Sequence, residues 1–185
     1  MGRAVQMFLS EEFSSETEHG GDLRRGKRKT RRPIATKRSM HFVLRSERAK
    51  GRWSFLQKAN AAFIRRLLPK LAKKFHVTLY EMSTNSNHIH LLLRGKTKEG
   101  IQKFLMVSSG QIAQRITGAK KGNPLGKRFF EKIPFSRIVE WGKAFEIARR
   151  YVWQNVLEAA GIIPYQPRNK KPRGTVSKGA RPPTG

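Results

Sequence analysis

The feature that most constrains the fold is a predicted β-hairpin over residues 76–95. Its first half, HVTLYEMST, is rich in β-branched and aromatic residues, and its second half, HIHLLLRG, contains an apolar run of strand length. The polar segment Asn85-Ser86-Asn87 between them is typical of a turn. We therefore expect the two strands to pair as a hairpin at the centre of the fold.

Helical and extended segments alternate on both sides of this hairpin. In chain order they are a strand over 40–46, a helix over 52–75, the hairpin, a helix over 97–118, an extended segment over 127–141 and a helix over 142–161. We expect Pro69 to kink or end the first part of the first helix, and Pro134 to interrupt the extended segment. Gly118 and Gly161 are expected to end the two later helices.

The order of these elements, β-α-β-β-α-β-α, predicts the fold class. Two βαβ-like halves around a central hairpin form an α+β, ferredoxin-like sandwich. We expect an antiparallel four-stranded sheet with helices and one extra C-terminal helix.

The charge of the chain indicates a nucleic-acid partner. The chain has 185 residues, with 40 Lys and Arg against 12 Asp and Glu, a net charge of +28 and a pI of about 11.6. Such an excess of clustered basic residues is the footprint of nucleic-acid binding. No amphipathic basic helix or lipidation signal favours a membrane surface, and no apolar run approaches the length of a membrane span. With no cysteine and no secretory signal, the expected location is cytoplasmic and nucleoid-associated.

Composition divides the chain into three parts. Residues 1–37 are predicted to be a disordered acidic leader followed by a basic arm, because five of the first 22 residues are acidic and a dense Lys/Arg block follows them. Residues 164–185 form a basic tail rich in Pro and Gly. The folded domain is therefore expected over 38–163.

Two histidines stand at the start of the second hairpin strand. On a strand, residues two apart share a face, so His88 and His90 point one way while Ile89, Leu91 and Leu93 point the other. Two neighbouring imidazoles can begin a divalent metal site. They can equally be core residues with satisfied hydrogen bonds, or a chance pair, and the strand alone does not decide between these readings.

The last helix offers partners for the histidines. Tyr151 and Asn155 lie four residues apart and share a helical face, with Gln154 a weaker candidate for the same task. The apolar residues beside them can pack on the sheet. The alternative is that the tyrosine ring only anchors the helix.

Taken together, these motifs resemble those of the HUH-superfamily single-tyrosine transposases, and the REP-associated tyrosine transposases of bacteria (insertion-sequence-200-like) look most similar. Members show an asparagine before a His-hydrophobic-His motif, here Asn87 followed by His88 and His90. They also carry a helix with Tyr, a hydrophobic residue, two further residues and Asn, here Tyr151 to Asn155. The resemblance covers about 38–163.

One position departs from the family pattern. Members often have Pro after this Asn, whereas Val156 stands here. The helix is therefore expected to continue rather than bend. This departure leaves both Asn155 and Gln154 open as third metal ligand.

The resemblance implies an enzyme that cleaves and rejoins DNA strands during transposition. Tyr151 would be the nucleophile and would form a covalent 5′-phosphotyrosine on single-stranded DNA, at or near a hairpin. His88 and His90, with an oxygen from Asn155 or Gln154, would hold Mg²⁺ or Mn²⁺. A monomer and a homodimer are both compatible with this reading. The alternative is a non-catalytic nucleic-acid-binding protein, a domesticated transposase or RNA binder that uses the same basic surface.

The basic residues and one tryptophan provide candidate DNA contacts. Phosphates attract Lys and Arg, and an exposed tryptophan can stack on bases. The candidates are Arg24, Arg25, Lys27, Arg28, Lys29, Arg31, Arg32, Lys120, Lys121, Lys127, Arg128, Arg149, Arg150 and Trp153.

Overall fold

The structure, a computed structural model, describes residues 17–21 and 30–165. Within these residues the chain forms five strands and three α-helices. They are β1 Glu18–His19, β2 Ser39–Arg45, α1 Lys58–Lys74, β3 Val77–Thr84, β4 His88–Gly95, α2 Lys98–Thr117, β5 Phe135–Val139 and α3 Lys143–Ala159. A short 3-10 helix, Gly51–Trp53, precedes α1.

All five strands form one antiparallel sheet. Its strand order is β1-β5-β2-β4-β3, and the predicted hairpin is the pair β3–β4. The sheet has one strand more than the four expected from the sequence. The additional strand, β1, is only two residues long and lies in the segment assigned to the acidic leader. Its pairing with β5 places Glu18 opposite Arg137 and His19 opposite Ser136.

The larger core lies between the sheet and the helices α1 and α2. On β2 the alternate residues Met40, Phe42 and Leu44 are fully buried there, and on β4 the residues at 89, 91 and 93 take the same side. This arrangement follows from the two-residue period of a strand. The predicted division of β4 into an apolar face and a histidine face is confirmed.

Helix α1 continues through Pro69 rather than ending there. It runs on to Lys74 without a break. Leu67 and Leu68 before the proline, and Leu71 after it, are all buried in the core, so packing on both sides of Pro69 holds the turn in helical form despite the missing hydrogen bond.

Helix α2 ends as the sequence predicts. Gly118 adopts a left-handed conformation with a φ of 72° and donates its N–H to the carbonyl of Gln114.

The predicted extended segment over 127–141 is a strand only after Pro134. Before it, Phe129 and Phe130 pack against Phe55, with ring centroids 6.0 and 6.1 Å away. Residues 127–134 are therefore a loop that aromatic contacts hold against the core, with Phe129 buried and Phe130 partly buried.

Helix α3 covers the opposite face of the sheet. Its residues Ala148 and Val152 form a small buried cluster with Leu92 of β4 and Val139 of β5. The helix continues to Ala159, as expected from the absence of proline at position 156. It is this second face that carries the histidines.

The chain before β2 also contacts the domain. Arg32, assigned to the disordered arm, donates from Nη2 to the carbonyl of Pro134 at 2.7 Å and lies over the ring of Phe42. Burial lowers the pKa of Arg32 to about 10. Among the helices of the described segments, none has the length and apolar character needed to cross a membrane.

Candidate active site

A row of five side chains, four of them polar, crosses the sheet beneath α3. Residues that pair directly across an antiparallel ladder share one face. The register therefore aligns one row from edge to edge, Glu18, Arg137, His41, Leu92 and Glu81. The sheet thus gathers charged and polar groups that are far apart in the chain.

His90 lies in the next row and contacts a histidine that the sequence analysis did not select. The Nδ1 of His90 is 3.1 Å from the Nε2 of His41, and the two rings stack with centroids 5.3 Å apart and planes 9° apart. Both side chains are buried, His41 at 7% and His90 at 4% exposure. Burial, together with the charge of Arg137, lowers the pKa of His41 to about 3, so this imidazole is neutral at physiological pH.

His88 is held by two asparagines of the hairpin turn. Its Nδ1 lies 2.8 Å from Oδ1 of Asn87, and its Nε2 lies 2.9 Å from Nδ2 of Asn85. A carboxamide oxygen only accepts, so the His88 proton is on Nδ1 and the lone pair is on Nε2. Its ring is perpendicular to that of His90, with centroids 4.8 Å apart.

Tyr151 of α3 is placed directly against the histidines. Its ring is perpendicular to that of His90 with a centroid distance of 5.3 Å, and to that of His41 with 5.9 Å. The tyrosine and the His pair, distant in sequence, therefore meet at one place. The ring is only partly buried.

Arg137 brings a positive charge to the same place. Burial lowers its pKa, while the charges of Glu18 and Tyr151 act in the opposite direction. Burial in turn raises the pKa of Glu18, against the effect of Arg137. Arg137 is therefore a partly desolvated cation beside the tyrosine, in a setting where its field is stronger than in water.

The two alternatives for a third ligand are placed differently. Asn155 is 3% exposed and lies on the packed side of α3, where its Nδ2 donates to the carbonyl of Tyr151 at 2.7 Å. Gln154 is half-buried, and its amide donates to Glu158 at 2.9 Å. Of the two, Asn155 is thus the residue that faces the sheet.

Ser83 adds a further polar atom on the same face. It pairs with His90 across β3 and β4, and its Oγ is buried with no hydrogen-bond partner among the described residues. A buried hydroxyl of this kind can bond to a ligand that enters the site.

The imidazole nitrogens and amide oxygens of this site are donor types that bind divalent ions. No group of three or more His, Cys, Asp or Glu side chains in residues 17–21 and 30–165 is arranged to hold a metal. The donors at hand are imidazole and amide atoms. His88 carries its lone pair on Nε2, where the amide of Asn85 donates to it and would have to give way to a metal ion, while Asn87 accepts from Nδ1. A hydrogen bond from the other ring nitrogen usually orients a metal-binding histidine in this way.

The candidate DNA contacts fall into separate groups. Lys120, Lys121, Lys127 and Arg128 are exposed on the loop between α2 and β5. Arg150 and Trp153 are exposed on α3 close to Tyr151, the tryptophan at 51%. The remaining described candidates are Arg31, which is exposed, Arg32, which packs on Phe42, and Arg149, whose Nε donates to Glu81 at 2.7 Å. The candidates Arg24, Arg25, Lys27, Arg28 and Lys29 lie outside the described residues, as does most of the predicted tail.

His41 and Arg137 are the residues that the sequence analysis missed. A signal for His41 was present, because Met40, Phe42 and Leu44 alternate with it and mark the core face of β2. His41 therefore had to point to the other face, like the His pair. No comparable signal marked Arg137, whose place depends on the register of β5.

Comparison with known protein families identifies the family of this chain. A model described as "Transposase IS200 like" matches residues 35–155, well over half of the chain. The chain belongs to this family. The match extends from just before β2 to Asn155 in α3, and so includes the His pair and the tyrosine helix of this family member.

The similar solved structures are distant in sequence, and the first of them supports the fold. One, described as a REP-associated tyrosine transposase bound to a REP hairpin, is 12% identical, with a TM-score of 0.55 over 71% of this chain and 73% of that one. A second, a candidate transposase from Deinococcus radiodurans, is 13% identical, with a TM-score of 0.41 over 69% of this chain and 97% of that one. A search of curated proteins found no match.

Proposed function

We propose that this protein is a metal-dependent endonuclease and strand transferase for single-stranded DNA, using Tyr151 as its nucleophile. The observation that carries the proposal is the perpendicular contact of the Tyr151 and His90 rings, 5.3 Å between centroids, in a chain of the IS200-like family. A nucleophile beside potential metal ligands is the arrangement that phosphodiester cleavage needs.

The proposed reaction exchanges one phosphate ester for another. The Tyr151 oxygen attacks the phosphorus, the bond from phosphorus to the 3′-oxygen breaks, and a 5′-phosphotyrosine remains on the protein. The phenol loses one proton and the departing 3′-oxygen gains one, so charge and atoms balance. Attack of a free 3′-OH on the phosphotyrosine reverses the step and joins strands.

The proposed ligands of Mg²⁺ or Mn²⁺ are His88, His90 and the side-chain oxygen of Asn155. Gln154 is a weaker candidate than Asn155 because its amide donates to Glu158. Bound there, such an ion supplies Lewis-acid polarisation of a phosphate oxygen.

Arg137 has a separate role in this proposal. Its guanidinium stabilises the negative charge that appears on the phenol oxygen when the proton leaves, and the charge of the phosphate oxygens during attack. Glu18 lies opposite it on β1, and the charge of this carboxylate raises the pKa of Arg137 and so favours its cationic form. This support is independent of any metal ion.

Single-stranded DNA carrying a hairpin is the proposed substrate. The similar solved structure is described as bound to a REP hairpin. The exposed lysines and arginine of the loop between α2 and β5 and Arg150 are proposed phosphate contacts, and Trp153 a stacking surface for a base. In this reading β2 to β5 with α1 and α2 form the ferredoxin-like unit, and α3 is the added helix that carries the tyrosine.

The test is covalent capture of DNA by the purified protein. Wild type is incubated with labelled hairpin oligonucleotides that have single-stranded flanks, with Mn²⁺ or Mg²⁺. We expect a labelled protein–DNA adduct that survives denaturing electrophoresis. Tyr151→Phe removes only the oxygen, so it should form no adduct and still bind the hairpin with wild-type affinity.

Two outcomes would contradict the proposal. If Tyr151→Phe still nicks the oligonucleotide, the nucleophile is another residue. If wild type binds hairpins tightly with no adduct, and neither EDTA nor His88→Ala changes the binding, the protein is a nucleic-acid binder without this activity.

A further inference from the structure

We propose that His41 is a positioning residue that accepts a hydrogen bond from Nδ1 of His90 and so fixes the proton of His90 on that nitrogen. The Nε2 of His90 then carries the lone pair. This inference extends the proposed function, because a lone pair on Nε2 makes His90 a metal ligand. The hydrogen bond itself is a property of the chain and can be measured without metal or DNA.

The geometry of the two rings supports a defined hydrogen bond. The nitrogens are 3.1 Å apart, a normal donor–acceptor distance, and the rings are almost parallel with planes 9° apart. Both side chains are buried, so water does not compete for either nitrogen. The backbones also fix the pair, because His41 and His90 lie on the adjacent strands β2 and β4.

The hydrogen bond contains one proton. Which of the two nitrogens carries it determines whether Nε2 of His90 has a lone pair for a metal ion. A neutral imidazole has one N–H and one lone pair. If His41 donated, the proton of His90 would be on Nε2 and that nitrogen could not bind a metal. If His90 donates, His41 is the acceptor and Nε2 of His90 is free of a proton, which matches the arrangement found at His88 with Asn87.

The two histidines of the pair are therefore oriented by hydrogen bonds to different residues. Asn87 orients His88 from the hairpin turn, and His41 orients His90 from the neighbouring strand. Loss of the residue that accepts a hydrogen bond from a metal-binding histidine typically weakens metal binding by about 10- to 100-fold.

Two variants separate hydrogen bonding from space filling. His41→Phe keeps a planar ring but has no acceptor, whereas His41→Gln loses the ring but offers a carbonyl oxygen. We expect His41→Phe to weaken Mn²⁺ binding by about 10- to 100-fold, and His41→Gln to restore most of the affinity. Affinity is measured by electron paramagnetic resonance titration of free Mn²⁺ without DNA. If His41→Phe binds Mn²⁺ like wild type, the proposal is wrong.

A second measurement uses the wild-type protein and does not depend on the variants folding. Nitrogen-15 chemical shifts of the histidine rings identify which nitrogen carries the proton. We expect His90 to be protonated on Nδ1 in the metal-free protein. A proton on Nε2 overturns the proposal. Failure of wild type to bind Mn²⁺ would instead count against the metal in the proposed function, while the nitrogen-15 shifts would still decide the role of His41.

Discussion

At the scale of single residues, Asn155 and Gln154 differ sharply in what surrounds them. Asn155 is buried against the sheet and bonded to the carbonyl of Tyr151, while Gln154 is bonded to Glu158 near solvent. We expect Asn155→Ala to weaken Mn²⁺ binding at least about tenfold and to lower the free energy of unfolding by about 1 kcal/mol. Gln154→Ala is the matched control and should change Mn²⁺ affinity and the free energy of unfolding only slightly. Calorimetric titration with Mn²⁺ and urea unfolding measure the two effects, and the reverse ranking would make Gln154 the ligand.

The sequence predicted part of this site because strand and helix periods fix which residues share a face. Those periods place His88 and His90 on one face of a strand, and Tyr151 and Asn155 on one face of a helix. They do not give strand register, which alone brings Arg137 beside His41. The hydrogen bond between His41 and His90 likewise depends on β2 and β4 being neighbours.

At the scale of elements, β1 is held by a glycine in a conformation that other residues avoid. Gly20 has a φ of +89°, and a Cβ at this position would lie 2.1 Å from the carbonyl oxygen of Pro134. We expect Gly20→Ala to displace β1 and to lower the free energy of unfolding by about 1–2 kcal/mol. The amide of Ile138, bonded to the carbonyl of Thr17, should then exchange its hydrogen much faster.

Gly122→Ala is the control for this variant, since a Cβ there meets no atom within 4 Å. Hydrogen exchange followed by mass spectrometry measures both variants. Unchanged protection of Ile138 in Gly20→Ala would mean that β1 does not depend on this glycine.

The longer elements were predictable and the short one was not. The hairpin, α2 and α3 carry a strong apolar period over many residues, and their bounds agree with the sequence to within a few residues. Strand β1 has two residues, too few for any period, and its pairing depends on the far end of the domain. The loop over 127–134 was read as extended because its aromatic residues favour strands, although they pack on Phe55 instead.

At the scale of the whole molecule, the net charge of +28 predicts binding that weakens steeply with salt. Four exposed charges on the loop between α2 and β5 are the proposed phosphate contacts. We expect a variant with all four changed to Gln to reduce the slope of log affinity against log salt by about 3 for single-stranded DNA. The residues are Lys120, Lys121, Lys127 and Arg128.

A matched control removes the same charge from helix α1, which lies on the face of the sheet opposite α3. Its four substitutions to Gln are at Lys58, Arg65, Arg66 and Lys70, all exposed. Fluorescence anisotropy at several salt concentrations gives both slopes. Equal loss of slope in the two variants would show that DNA contacts the molecule through charge alone, with no preferred face.

The position of α3 at the end of the domain has a consequence for synthesis. The ribosome makes both histidines, then α2 and β5, and only afterwards Tyr151. A nascent chain that has emerged as far as β5 contains all five strands with His41 and His90, but it lacks the proposed nucleophile. The proposed chemistry is therefore withheld from every chain that stops before Tyr151, because such a product cannot link itself to DNA through this residue.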